Sequence, residues 1–339
     1  MTVASSKHEN QRIVSGMRVT GRMHLGNYHG ALKNWLQLQH KYDCYFFAAD
    51  WHALTTNYEN PKGIVAQSRL LIQDWLAAGL DPKAAKIFIQ SGVPEHAELH
   101  LLLSMITPLS WLERVPTYKD QQDKLKEKDL STYGFLGYPL LQTADILIYK
   151  AKFVPVGEDQ VSHLELTREV ARRFNHLYGD NTAILPEPAA LLTKESKFPG
   201  LDGQKMSKSY NNTIALTEDP ESVAAKIKRM PTDPARVRRS DPGEPEKCPV
   251  WSLHKIYSSA EVKEWVVKGC RSAGIGCLEC KAPLIASIIA EQKPIIERSK
   301  YFAANPQIVQ AIIAEGTEQA RDCAKQTLQQ VRIAMGIAE

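Results

Sequence analysis

The sequence predicts an α/β fold: a doubly wound, parallel-sheet, Rossmann-like catalytic domain followed by an all-helical C-terminal domain. Three observations carry this. Between Arg12 and Gln39 a short apolar run breaks at glycines and turns into a helical pattern. Strand-length apolar runs then alternate with helix-period segments as far as Phe174, the rhythm of parallel β-α-β units. After about Val250 only helical pattern remains. The chain therefore divides into residues 11–215 and 216–339.

Taken in order, Ile13 and Val14 begin a buried strand, and Gly16 and Gly21 permit a tight backbone at low cost. From Asn27 onward Tyr28, Ala31, Leu32, Trp35 and Leu38 recur at three- and four-residue steps, an amphipathic helix. A helix N-terminus after a strand offers free N–H groups and a positive dipole end, which suits the phosphates of a nucleotide. The same turn also serves plain packing.

Tyr45 to Asp50 reads as a second strand, running into Trp51 and His52, with a helix over 64–78, a third strand over 87–90 and a helix over about 95–107. In such sheets ligands sit at the carboxyl ends of the strands. The charged stretch 118–129 reads as a solvated loop in which only Lys119 has a phosphate role. Residues 138–149 are apolar on nearly all sides around one acid, Asp145. A strand follows over 153–156, a turn at Gly157-Glu158-Asp159-Gln160 and a helix over 161–174. Residues 185–204, with three prolines and two glycines, read as loop. Residues 222–230 look helical, and five prolines from Pro231 to Pro249 mark a linker or domain edge.

The 339 residues are 43% hydrophobic and 24% charged, so the chain can bury a sizeable core. A net charge of +4 is compatible with a polyanionic partner without demanding one. Residues 1–10 lack an apolar signal core, and Leu99 to Leu112 is too short and too polar to span a bilayer. A cytoplasmic protein is expected, with its six cysteines reduced or bound to metal rather than paired.

The glycine turn holds His24-Leu25-Gly26-Asn27 and matches neither common nucleotide fingerprint. Far downstream stands Lys205-Met206-Ser207-Lys208-Ser209, which alone could be an exposed basic loop. Together they resemble the HIGH and KMSKS signatures of class I aminoacyl-tRNA synthetases. The wording GNYHGALKNW, YFFAADWHALT, ADILIYKAKFVPVGEDQ and HLELTREVARRFN is similar to the bacterial-type tryptophanyl-tRNA synthetase family over nearly the whole chain, and closer to it than to its tyrosyl relative.

That resemblance implies a two-step reaction. The carboxylate of L-tryptophan attacks the α-phosphate of ATP, with Mg2+ as companion, and the adenylate then acylates the terminal ribose of tRNA(Trp). Such chemistry rests on positioning and on stabilising phosphate charge. Lys205 and Lys208, with Arg18 and Thr20, would be the catalytic groups. ATP would be lined by Arg18, Val19, Thr20, Gly26, Asn27, Gly157, Glu158, Asp159 and Lys205 to Ser209, including Met206, Ser207 and Lys208. Many members carry Gln at the place of Arg18 and Pro at that of Val19, which puts the magnesium requirement and the rate-limiting motion in question. The resemblance gives tryptophan Asp145, Tyr138, Gln142, Val154, Val156, Gln160, Val14 and Gly16. A carboxylate only accepts and an indole N–H only donates, so Asp145 is the selective group. An acid capped by local backbone or by an arginine is the alternative.

Cys248, Cys270, Cys277 and Cys280 have spacing that suits zinc or an iron–sulfur cluster, or belong to four unrelated thiols. A subset of the family carries a [4Fe–4S] cluster on a similar pattern, so the cluster is favoured over zinc. Cys44 and Cys323 read as buried structural thiols. Lys226, Lys228, Arg229, Arg236, Arg238 and Arg239, near Trp251 and His254, suit an anticodon arm or a solvated basic face. By resemblance the protein is a homodimer. Two other readings remain: a catalytically altered paralogue acting as a tRNA-binding or regulatory protein, and a redox-sensing iron–sulfur protein reusing the fold.

Overall fold

Arg12–Arg18 (β1), Asp43–Ala49 (β2), Ala85–Ile89 (β3), Phe153–Val156 (β4) and Ala189–Leu192 (β5) form one sheet in the order β3-β2-β1-β4-β5. Every pairing is parallel, as the alternation predicts. The computed structural model describes residues 11–116, 130–157, 161–180, 182–192 and 198–339. Because β1 lies between β2 and β4, the chain winds outward both ways from it, and a crevice opens between β1 and β4 at the strands' carboxyl ends.

Side chains alternate across the pleat, so Ile13 and Phe46 enter one apolar layer while Val14, Tyr45 and Phe47 enter the other. In the first layer Trp35 stacks on Phe46 at 4.4 Å and meets Trp75 edge-on at 5.1 Å. The second layer holds the helix Tyr138–Leu147, which carries Asp145, and the helix Val161–Tyr178.

Among the differences from the sequence reading, two are instructive. The first helix begins at Leu25, not Asn27. His24 caps it: its Nδ1 accepts the Asn27 N–H at 3.3 Å, and Asn27 Oδ1 accepts the His24 N–H at 3.1 Å. Histidine is not among the favoured capping residues, so the sequence did not signal this start. The helix continues through a π-helical turn, Tyr28–Leu32, into Lys33–Leu38. The second difference is β5, which lies inside the stretch read as loop. It is a four-residue, half-exposed edge strand of Ala and Leu, without the alternation or β-branched residues that mark a strand.

After Pro220 all regular elements are helical apart from short turns, with two long helices, Cys277–Ala304 and Pro306–Ala334, at the end. The last helix wraps the sheet edge. Val309 belongs to the first apolar layer, whereas Ala320, Cys323, Ala324 and Leu328 belong to the second. Where it crosses β3 stands Gly316, at which a β-carbon would collide with the Ile87 main chain. Only glycine allows a helix to lie this close to the strand, and the crossing covers an edge that would otherwise be open to pairing.

Candidate active site

A cavity of about 440 Å³ fills the crevice, within the usual range for a small-molecule site. Val14 and Gly16 on β1, Val154 and Val156 on β4, and Tyr138, Gln142 and Asp145 on the facing helix line one end. The fold thus gathers every described residue that the resemblance gives to tryptophan; Gln160 lies outside the described residues. Toward the other end lie Arg18, Asn27 and Gly157. Glu158, Asp159 and Lys119 also lie outside the described residues.

Asp145 is 2% exposed and is held by three side chains. Its Oδ1 accepts from Gln90 Nε2 at 2.8 Å and from His96 Nδ1 at 2.6 Å, and its Oδ2 accepts from His52 Nε2 at 2.8 Å. Burial alone would raise its pKa. The hydrogen bonds from His52 and His96 outweigh burial and hold it below the ordinary carboxylate range, so the acid is ionised. The capped-acid alternative is therefore half met: there are partners, but they are histidines and an amide rather than backbone or arginine. Gln90, His52 and His96 were not read as site residues from the sequence. The signal was an acid in apolar surroundings, which must find donors somewhere.

At this other end the two signature segments are tied together. Leu25 N donates to Ile214 O at 3.0 Å, Leu216 N to Met23 O at 2.9 Å, and Lys208 Nζ to Thr20 O at 2.6 Å. Gly26 packs against Met206, which is buried, as is Val19, so these two side chains are turned away from any nucleotide and only their main chain can meet one. Lys205, Lys208, Ser209 and Thr20 are exposed, and Ser207 is half-buried. Asn212 braces the lysine segment: its Oδ1 accepts from Ser207 N at 2.8 Å, and its Nδ2 donates to Asp202 at 2.7 Å and to Lys205 O at 3.1 Å. At the base, Met206 N donates to Phe198 O, and the Phe198 ring stacks on His29 at 4.7 Å.

Burial of His24, and then the charge of Lys208, lower its pKa to about 4, so the ring is neutral. Because Nδ1 accepts the Asn27 N–H, the ring proton sits on Nε2, a donor suited to phosphate oxygen. Arg18 reaches Thr56 Oγ1 from β1 while lining the cavity. Burial lowers its pKa from the usual arginine value, against a smaller opposing effect of Tyr138, and the guanidinium remains a cation.

The pattern of tRNA synthetases class I (W and Y) matches residues 6–291. The chain belongs to this family. It is 54% identical to the tryptophan–tRNA ligase of Ralstonia nicotianae, over 96% of this chain and 98% of that protein. It is 53% identical to that of Thermotoga maritima, over 96% and 99%. Among solved structures it matches tryptophanyl-tRNA synthetase from Campylobacter jejuni complexed with ADP and tryptophan, with TM-score 0.86 and 30% identity over 96% of this chain and all of that one.

In this class I synthetase the four clustered cysteines lie around the start of the helix Cys277–Ala304 and the helices before it. Burial, and then the other three thiols, push the Cys280 thiol up to about 12. Cys280 Sγ also lies 3.4 Å from His254 Nε2. Among the described residues no group of three or more His, Cys, Asp or Glu is close enough to hold a single metal ion. Cys44 and Cys323 are buried, as expected.

The basic cluster does not form one face. Arg236 is buried, bonded to the Ile275 and Arg239 carbonyls; Lys226 pairs with Glu218 at 2.8 Å, and Arg239 with Glu279 at 2.9 Å. Lys228, Arg229 and Arg238 stay exposed. His254 is buried against Ser258 and Cys280, removing it from any stacking surface.

Proposed function

We propose that this synthetase is a tryptophan–tRNA ligase, activating L-tryptophan with ATP to tryptophanyl-adenylate and pyrophosphate and passing the acyl group to tRNA(Trp). The observation that carries this is the carboxylate of Asp145. A carboxylate offers about four acceptor positions. Gln90 and His96 take those of Oδ1 and His52 takes one on Oδ2, which leaves one at the cavity for an indole N–H. Phenylalanine would leave that buried position unpaired, a mismatch such sites reject strongly. Val14, Gly16, Tyr138, Gln142, Val154, Val156 and Gln160 shape the rest of the ring's site.

At the other end Lys205 and Lys208 neutralise the departing pyrophosphate, and Arg18 supplies a planar double donor. Thr20, Ser207 and Ser209 offer hydroxyls, Gly26, Asn27, Val19 and Met206 shape the wall beside them, and Gly157, Glu158 and Asp159 serve the ribose and adenine. Magnesium, when bound, would be carried chiefly by phosphate oxygens. Arg18 next to that position gives the chain a fixed charge of its own there.

Residues 11–215 act as the catalytic unit and 216–339 as the tRNA-facing unit, whose exposed Lys228, Arg229 and Arg238 support contact with a polyanion. Leu101, Met105 and Leu109, exposed apolar side chains close together in sequence, support a homodimer. No helix among the described residues is long and apolar enough to cross a membrane, which is in keeping with a cytoplasmic enzyme.

The four cysteines supply soft sulfur donors, which suit a [4Fe–4S] cluster and also suit zinc. Cys248, Cys270, Cys277 and Cys280 would hold the cluster, which in this setting supplies a thiolate-bound structural or redox centre. Anaerobically purified protein should be brown and lose that absorbance in a Cys277→Ala, Cys280→Ala variant; a colourless, iron-free preparation overturns this part.

Tryptophan-dependent ATP–pyrophosphate exchange tests the ligase reading, with phenylalanine and tyrosine as competitors. Exchange with tryptophan alone is expected. Its absence, with tRNA binding retained, would point to the altered paralogue.

A further inference from the structure

Behind Asp145, away from the cavity, lie two groups that no motif marks. His96 and Tyr149 are both fully buried and neither lines the cavity. His96 Nδ1 is 2.6 Å from Asp145 Oδ1, and His96 Nε2 is 2.6 Å from the Tyr149 hydroxyl. Tyr149 stacks on Tyr45 at 4.6 Å and meets Phe88 edge-on at 5.8 Å.

The protons in this line follow from the donor and acceptor inventory. An ionised carboxylate only accepts, so Nδ1 carries a hydrogen. If the ring is neutral, Nε2 accepts the Tyr149 O–H and every group is satisfied. If it were an imidazolium, Nε2–H would donate to the phenol oxygen, and the phenol proton would lose the acceptor described for it. A buried unpaired hydroxyl is costly, so the neutral Nδ1–H tautomer prevails.

We propose that Tyr149, acting through the Nδ1–H tautomer of His96, is a positioning residue for tryptophan, holding Asp145 in the one rotamer that offers Oδ2 to the indole. His52 alone would not do this, since it binds the oxygen that the indole must share and is itself partly exposed. The His96 contact fixes the other oxygen from the dry side. Specificity for tryptophan then depends on a hydroxyl that never touches the substrate. This rests on the tryptophan reading above.

Tyr149→Phe keeps the ring and its stacking and removes only the hydroxyl. In pyrophosphate exchange the KM for tryptophan should rise about tenfold, the scale of one hydrogen bond, while the KM for ATP stays put. In the unmodified chain, 15N-histidine NMR, with His96 assigned through His96→Gln, should show a neutral ring protonated at Nδ1. An unchanged tryptophan KM, an equal rise in both KM values, or an imidazolium or Nε2–H signal overturns the proposal. If Tyr149→Phe does not fold, the NMR result decides. If the unmodified chain shows no exchange, the ligase reading fails by itself, and calorimetric tryptophan binding by the two chains then makes the comparison.

Discussion

The two ends of the cavity are built on opposite plans. At the end proposed for tryptophan a single acid is 2% exposed and bonded to three side chains, of which His96 is backed by Tyr149 and, through it, the Tyr45 ring. At the phosphate end the lysines are exposed, and the described bond joining Lys208 to the glycine turn ends on a single carbonyl, that of Thr20. The difference matches the two tasks. Choosing one amino acid needs a polar group fixed before the substrate arrives, in a setting where a mismatch is expensive. Handling a triphosphate that breaks during the reaction needs charges that follow it, and flexible ammonium groups serve better than buried ones.

That contrast makes the two ends kinetically separable. Lys208→Ala should cost on the order of 10²–10³ in kcat while leaving the KM for tryptophan nearly unchanged, since a charge acting on the leaving group is lost. Steady-state exchange with each substrate varied checks this; equal effects on both KM values would break the division. Asp145→Asn should lower kcat/KM for tryptophan about a hundredfold without moving the KM for ATP, the scale of a charge-assisted hydrogen bond plus the unsettled histidines.

The third prediction reaches the tryptophan end from outside. The last helix places Cys323 against the Tyr45 hydroxyl, and Tyr45 stacks on Tyr149. Gly316→Ala forces that helix away from Ile87 and should cost about 1–3 kcal/mol in chemical denaturation. His24, beside the lysine segment, adds a dependence on pH. The unfolded chain protonates it near pH 6.5 and the folded chain only near 4. Across that window the unfolded state binds the extra proton, so the melting temperature falls as pH drops from 6.5 to 4. His24→Asn, which retains a capping side chain, should flatten that slope; an unchanged slope would show that His24 is not the group responsible.

Much of the fold was legible because it is written in local pattern. The strand 153–156 and the helix 64–78 stand where their periodicity puts them. The strand β5 was not legible, since its pairing with β4 supplies what Ala189 to Leu192 lack in propensity. Among site residues, Lys205 to Ser209 and Asp145 stood out by motif and by chemical oddity. His96 and Tyr149 did not, because a histidine at the start of a helix and a tyrosine after an apolar run look like ordinary core. The basic cluster misled for the same reason: sequence proximity put Arg236 with Arg238, and folding turned one inward and the other out.

By itself the sequence determined the parallel α/β plan and the synthetase family and singled out the acid proposed to read the ring, since periodicity, signature motifs and a lone charge in an apolar run are local properties. Tertiary structure alone decided what holds that acid. Its partners come from the helix Asp50–Asn57 that follows β2, from the turn Gln90–Gly92 after β3 and from the helix Glu95–Ser104, 93, 55 and 49 residues away, and a hydrogen bond depends on distance in space, which no spacing along the chain specifies.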